Sequence, residues 1–282
     1  MTRTDPRTRS VLLTGCSSGI GLDAARTLSR RGWRVFATCR KPEDCARLEA
    51  AGLESFPLDH ADPDSIAMGV AETFERTGAR LDALVVNGAH AMPAAMEDVP
   101  RGALREIFEA NLFGPFDLIN RVLPVMRREG AGRIVNISSV LGIVALPFRG
   151  PYCGTKFAME GMTDALRREL RGSGVQVSLV EPGPITTRIR ENAVPHFERW
   201  IDWEASALRF RYERELIPRL YAERGKPDRF ELPPSACTRR IVHALEARRA
   251  RARYRVTVPT RLAEAMRRLL STRLADRMAG GW

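Results

Sequence analysis

Cysteine is sparse in this chain of 282 residues, and its five thiols, Cys16, Cys39, Cys45, Cys153 and Cys237, include no C-x-x-C pair. An odd number without that spacing offers neither a disulfide framework nor a thiolate zinc site, so no metal is expected and a reducing, cytoplasmic setting is. Long apolar runs are also missing. None approaches the roughly 18 residues of a membrane span, and Met1 to Ser10 is polar with no apolar signal core, so secretion is not expected. Neither an internal repeat nor a low-complexity tract occurs. Acidic residues are in deficit, 34 against 45 basic ones, for a net charge of +11. That balance invites a nucleic-acid reading. The excess, however, gathers in the last quarter, in arginines 239, 240, 248, 249, 251, 253 and 255, and no recognition motif accompanies it. A solvated basic face accounts for it, and no nucleic-acid partner is expected.

What is present is the composition of a soluble globular protein with a sizeable core: 44% hydrophobic and 28% charged. The length prior is about two domains, but α/β folds of this size often form one. The stretch Tyr152-Cys153-Gly154-Thr155-Lys156 sets a phenol and an ammonium four residues apart, on one face of a helix. A neighbouring cation lowers a phenol's pKa of about 10 by roughly 1–3 units, which would make Tyr152 an acid/base. Taken alone, the pair is more commonly a packed ring and a solvated amine. Upstream, Gly132 to Ser139 is a β-branched run ending in hydroxyls, a buried-strand pattern that puts Ser139 at a carboxyl end. Asn111 lies in an apolar helical pattern, 103 to 128, where its amide needs a partner and where Pro115 is expected to bend the helix.

At the amino terminus, Ser10 to Thr14 reads as a strand that runs into Gly15-Cys16-Ser17-Ser18-Gly19-Ile20-Gly21 and then a helix. Strand, glycine loop and helix in that order suit a dinucleotide: the glycines allow a tight turn and close approach of the pyrophosphate, and the helix start supplies free N–H groups. A plain glycine turn is the bland alternative. A second strand ends at Cys39, followed by Arg40 and Lys41; a third precedes Leu58-Asp59-His60; a fourth leads into Val86-Asn87-Gly88-Ala89; another precedes Glu181-Pro182-Gly183-Pro184-Ile185-Thr186-Thr187. Strands alternate with helices throughout, which predicts an α/β, doubly wound parallel sheet. His60 reads as a loop residue and not as a catalyst.

Asn111, Ser139, Tyr152 and Lys156, with the G-x-x-x-G-x-G spacing at Gly15, Gly19 and Gly21, resemble the classical short-chain dehydrogenase/reductase family, and the resemblance runs motif by motif from residue 10 to about 190. It implies a Rossmann-like oxidoreductase that interconverts an apolar secondary or aldehyde-level alcohol with its carbonyl. By resemblance Tyr152 is the proton donor, Ser139 the hydrogen-bond partner of the substrate oxygen, and Lys156 the group that lowers the phenol's pKa and binds ribose. Asn111 orders a relay water. Cofactor contacts are implied for Gly15, Ser17, Ser18, Gly19, Ile20, Gly21, Arg40, Asp59, Asn87, Tyr152, Lys156, Pro182, Gly183, Ile185 and Thr187. The family's usual Asn-Asn-Ala-Gly stands here as Val86-Asn87-Gly88-Ala89, with the first asparagine lost and the last two residues transposed. A basic residue at Arg40, where an acid would repel a 2′-phosphate, implies NADP(H) as the preferred coenzyme and leaves NAD(H) possible. A non-catalytic dinucleotide-binding redox sensor or scaffold is the rival reading, although a sensor needs neither Tyr152 nor Ser139.

One domain is expected, with a cofactor-binding and catalytic core over 8–188, a helical lid over 189–235 and a helix-strand-helix segment over 236–282. The aromatics Phe197, Trp200, Trp203, Phe210, Tyr212, Tyr221 and Phe230 suggest a lid over an apolar pocket, with an ordinary helical hairpin as the alternative. Leu262, Met266, Leu269, Leu270 and Leu274 form an apolar stripe suited to the chain's own core or to a twin subunit, so a homo-oligomer, dimer or tetramer, is expected. Contact of this basic amphipathic segment with a membrane surface is the less favoured reading.

Overall fold

The computed structural model describes residues 8–222 and 229–279. Its strands are β1 (Ser10–Leu13), β2 (Arg34–Cys39), β3 (Glu54–Pro57), β4 (Ala83–Val86), β5 (Gly132–Ile137), β6 (Val175–Glu181) and β7 (Arg253–Arg255). They lie side by side in the order β3-β2-β1-β4-β5-β6-β7, every pair parallel. This is a doubly wound sheet whose order reverses between β1 and β4, where ligands bind at the carboxyl ends of the strands. The strands read as unbroken apolar runs because both faces are covered. Val11 and Leu13 face one core with Ala83 and Val85, while Leu12 and Leu84 face the other, as the two-residue repeat of a strand requires.

Helices α1 (Gly19–Arg30) and α2 (Pro42–Ala50) cover the first face through Ala24, Leu28 and Leu48. Helix α3 (Pro63–Thr77) covers the second through Ile66 and Val70. The helix expected over 103 to 128 is broken into α4 (Arg101–Phe108), a π-helical turn at Glu109–Phe113 and α5 (Gly114–Arg128). The π-turn lies just ahead of Pro115, whose missing N–H removes one α-helical donor from that turn. A Cβ on Gly114 would lie 1.8 Å from the His60 carbonyl oxygen, so only glycine lets the loop after β3 pass this close.

Helix α6 (Gly150–Glu169) carries the Tyr-Lys pair against β5 and β6. Beyond it, α7 (Ile189–Trp200), the single turn α8 (Arg209–Arg211), a π-helical turn at Tyr212–Leu216 and α9 (Ile217–Leu220) form a helical cap over the loop that follows β4. Phe197 and Tyr212 are buried in the cap's own core. The Tyr212 hydroxyl accepts from the Ala95 N–H at 2.9 Å and donates to Asp98 at 2.7 Å. The expected lid and carboxyl-terminal segment include residues 223–228 and 280–282, which lie outside the described residues.

Helix α10 (Ser235–Glu246) returns to the first face, and β7 adds the last strand. Arg253 of β7 reaches back to α6, where it pairs with Glu160 and with Asp164 at 2.7 Å, and to Glu181 at the end of β6 at 2.7 Å. The chain then runs through α11 (Val258–Leu269) and α12 (Thr272–Ala279). Of the expected stripe on these helices, Leu262, Leu269 and Leu274 are exposed, so it lies outside the chain's own core. No helix among the described residues is long and apolar enough to cross a membrane.

Candidate active site

The turn after β1 is built for close backbone approach. Gly15 has φ of +70°, and a Cβ there would lie 2.7 Å from the Gly88 Cα; a Cβ on Gly21 would lie 2.2 Å from the Gly15 carbonyl oxygen. Gly19, at φ +57°, opens α1 directly beneath Thr187, whose Cγ2 would stand 3.0 Å from an added Cβ. Asn87 ties this turn to the end of β4, donating from Nδ2 to the carbonyls of Thr14 at 3.1 Å and Gly15 at 3.0 Å. Ser18 precedes α1 without a side-chain cap, and Ser17 gives its carbonyl to Arg47 at 2.9 Å. Ile20 turns toward the core beneath. The first-turn N–H groups of α1 and the positive end of its dipole thus border the turn between β1 and β4.

Around the turn, Arg40 is exposed just beyond β2. Asp59 follows β3 with one carboxylate oxygen taken by the Ala61 N–H at 3.0 Å. Pro182 accepts from the Val140 N–H at 2.6 Å, and Ile185 bridges to Leu232. Gly183 packs on the C-terminal segment, since a Cβ there would lie 2.1 Å from the Thr257 hydroxyl. These backbone donors, with an exposed guanidinium and a carboxylate at the strand ends, fit a dinucleotide.

The four catalytic candidates meet beside this turn. Ser139 lies just past β5 and accepts the Leu141 N–H at 3.1 Å, which leaves its own O–H to donate. Tyr152 is buried, and burial pushes its phenol well above the ordinary value; the nearby Ser139 hydroxyl acts the other way. Lys156 is only 2% exposed. Its Nζ donates to the Ile137 carbonyl at 2.8 Å and stands 5.6 Å from the centre of the Tyr152 ring. Burial brings the ammonium down to about 8, while Glu160 holds it up. The expected depression of the phenol by Lys156 is not what this geometry produces. Burial dominates both groups, and Ser139 is the neighbour that eases the phenol.

Asn111 sits in the π-turn, fully buried, and spends its amide on protein partners. Its Oδ1 accepts the His90 N–H at 3.0 Å, and its Nδ2 donates to the His90 carbonyl at 2.8 Å and to Thr155 Oγ1 at 3.3 Å. Thr155 in turn donates to the Tyr152 carbonyl at 2.8 Å. Asn111 thus braces α6 against the loop after β4 with its side chain, while the relay water is expected at a backbone carbonyl here. Its carbonyl lacks an α-helical donor, because the residue four positions on is Pro115.

Sequence reasoning missed three supports. Thr14 receives the N–H groups of Asn87 and Gly88 on its hydroxyl, at 3.0 and 3.2 Å. Thr155 and His90 complete the Asn111 brace. Thr155 carried a visible signal, since it lies three residues beyond Tyr152 and so on its face of the helix. His90 carried none, because its backbone does the binding. His60 is a loop residue as expected, and a buried one: burial lowers it to about 4, and its Nδ1 lies 3.3 Å from the Ala110 carbonyl.

Comparison with known proteins agrees with this arrangement. The profile of the short chain dehydrogenase family matches residues 9–197. The chain is 36% identical over 273 residues to the uncharacterized oxidoreductase YbbO of Escherichia coli K12, across 97% of this chain and 94% of that one. It is 33% identical over 252 residues to retinol dehydrogenase 16 of Mus musculus, across 86% and 79%. A solved short-chain dehydrogenase from Streptomyces avermitilis shares the fold with a TM-score of 0.76 at 26% identity, covering 98% of this chain and 97% of that one.

The brace makes a separable prediction. Asn111→Ala leaves the His90 N–H and C=O buried without partners, at about 1–3 kcal/mol per unsatisfied group. Denaturant unfolding of this variant should show a lower midpoint, whereas Tyr152→Phe, which removes one hydroxyl, should unfold near wild type. An Asn111→Ala protein as stable as the parent would mean that the loop after β4 is held by something else.

Proposed function

The chain belongs to the short-chain dehydrogenase family and is an NAD(P)-dependent oxidoreductase acting on CH–OH groups; we propose that it interconverts an apolar secondary or aldehyde-level alcohol with its carbonyl and prefers NADP(H). The observation that carries this reading is the Ser139 hydroxyl at the Tyr152 phenol, one helical turn from the buried Lys156 ammonium and beside the glycine turn. When bound, the nicotinamide dinucleotide supplies or takes up the hydride. In reduction, Tyr152, protonated at neutral pH by virtue of its burial, gives its proton to the substrate oxygen. Ser139 donates a hydrogen bond to that oxygen and holds it at the phenol. Lys156 supplies positive charge behind the phenol as it becomes anionic, and Asn111 fixes the helix that carries both. The helical cap at the strands' carboxyl ends suits an apolar substrate, and the mouse relative is named for retinol, an apolar alcohol. The exposed stripe Leu262, Leu269 and Leu274 suits a second copy of the chain, and we place the contact of a homo-oligomer there. Light scattering of the full chain reads this directly, and a monomer at micromolar concentration would remove it.

A panel of apolar ketones and aldehydes, followed by NADPH absorbance, tests the function. Tyr152→Phe should reduce turnover by about 10²–10⁴-fold, the usual scale for a lost general acid; most of the activity remaining in that variant would take the proton transfer away from Tyr152.

The Lys156 shift sets the pH dependence. Its folded pKa of about 8 lies below the ordinary lysine value, so the charge is present below pH 8 and lost as pH rises through it. Reductive kcat/KM for NADPH, which reports groups of the free enzyme, should therefore decline through that window. Lys156→Arg keeps its charge and should be slower but flat there. A decline that persists in this variant belongs to another group.

Arg40 governs the coenzyme. A guanidinium on a 2′-phosphate contributes roughly 1.5–3 kcal/mol, which at about 1.4 kcal/mol per tenfold is a preference of about 10- to 100-fold. Cys39 beside it is buried in the core, so installing a carboxylate there would disturb the fold, and the clean test is Arg40→Gln alone. That variant should lose NADPH efficiency by this factor with NADH little changed. Equal efficiencies in the parent enzyme would return Arg40 to the solvated surface.

A further inference from the structure

Outside the catalytic group, the polar cluster with most unexplained chemistry joins the cap to the body of the fold. His90 lies in the loop after β4, Glu106 on α4 and His196 on α7, and one potential ligand atom from each lies within 4.8 Å of the others. The two imidazoles stack with centroids 3.8 Å apart and planes 11° from parallel. His90 is 8% exposed, and its Nε2 has neither solvent nor a hydrogen-bond partner. A buried ring nitrogen with nothing to bond is costly unless a ligand completes it. We propose that His90, His196 and Glu106 bind a divalent transition metal ion of zinc's preferences, which fastens the cap helix α7 to α4 beside the active site.

The donor chemistry fits. Two imidazoles and a carboxylate are a set that zinc accepts, with an open position for water. His196 Nδ1 stands 2.5 Å from Glu106 Oε1, a contact that fixes the tautomer and leaves Nε2 as the ligand atom. Glu106 is itself held by Trp200 Nε1 at 2.9 Å and Arg199 at 3.1 Å. It either orients His196 from outside the coordination shell or exchanges that contact for the metal. Bond lengths of about 2.0–2.1 Å to nitrogen require the rings to rotate out of parallel stacking, a movement open to His196 on the less buried side.

Two charges oppose the ion. Arg199 contacts Glu106, and the Arg40 charge reaches His90. The absence of C-x-x-C spacing does not bear on this site, because its ligands are 16 and 90 residues apart along the chain and contain no thiol.

The test is titration of the metal-stripped full chain with zinc against a chromophoric chelator. One zinc per chain is expected, with affinity reduced at least about tenfold in His90→Ala and in His196→Ala, and unchanged in His243→Gln, whose ring bonds Tyr254 far along the chain. Zinc should also raise the thermal midpoint of the parent but not of the two histidine variants. His196→Ala alters only the cap and decides the matter if His90→Ala, next to the Asn111 brace, does not fold. No zinc bound in competition with the chelator, or full affinity kept in either histidine variant, overturns the proposal and in the second case moves the ion to thiols or carboxylates elsewhere.

Discussion

A single buried cation constrains the centre of this molecule. Lysine is rare here: of 45 basic residues only Lys41, Lys156 and Lys226 are not arginine, and among the described residues Lys41 is exposed while Lys156 is sealed in the interior. Burial drives an ammonium toward its neutral form and a carboxyl likewise. Both effects are visible one turn apart on α6, where Lys156 falls to about 8 and Glu160 rises to about 7. Glu160 restrains the lysine's loss of charge, and Arg253 restrains that of Glu160. The Ile137 carbonyl then gives Lys156 its hydrogen bond, so the end of β5 positions the ammonium as well as Ser139, two residues on.

Glu160 needs support of its own, and it comes from the far end of the chain. Arg253 of β7 joins Glu160, Asp164 and Glu181, so the carboxyl-terminal strand completes an ionic layer beneath the catalytic helix. Glu181 has no exposed surface at all. Taking Arg253 away would leave buried charge without a partner, typically worth about 3–5 kcal/mol. The last strand therefore does more than extend the sheet, because the state of Lys156 depends on it through Glu160.

Most of this was legible where function demands a local pattern. The glycine turn, the Tyr152–Lys156 spacing and the β-branched run before Ser139 are short-range signals, and the structure places all of them at the strands' carboxyl ends. Less visible was anything carried by backbone atoms or by long-range charge. The Asn111 brace runs to the main chain of His90, which no side-chain pattern reports. Pro115 signalled an irregular helix, but neither its π-turn form nor the approach of the His60 carbonyl to Gly114, a contact between distant segments, was legible. Phe197 and Tyr212, counted among the aromatics of an expected lid or helical hairpin, are buried in the cap's own small core, a partnership the sequence does not display.

The same burial that places these groups also orders their chemistry. A phenol raised by desolvation is a weak acid and holds its proton at neutral pH; an ammonium lowered by desolvation gives up its charge more readily. Near neutral pH both groups therefore hold their protons. Oxidation of an alcohol asks for the opposite, a phenolate beside a charged lysine, and that state improves only if further positive charge or hydrogen bonding reaches the phenol. Ser139 supplies one such bond. Lys156 supplies charge only at the distance of the ring, 5.6 Å from its centre. Because burial acts in opposite senses on the two groups, alkaline conditions discharge the lysine before they touch the tyrosine.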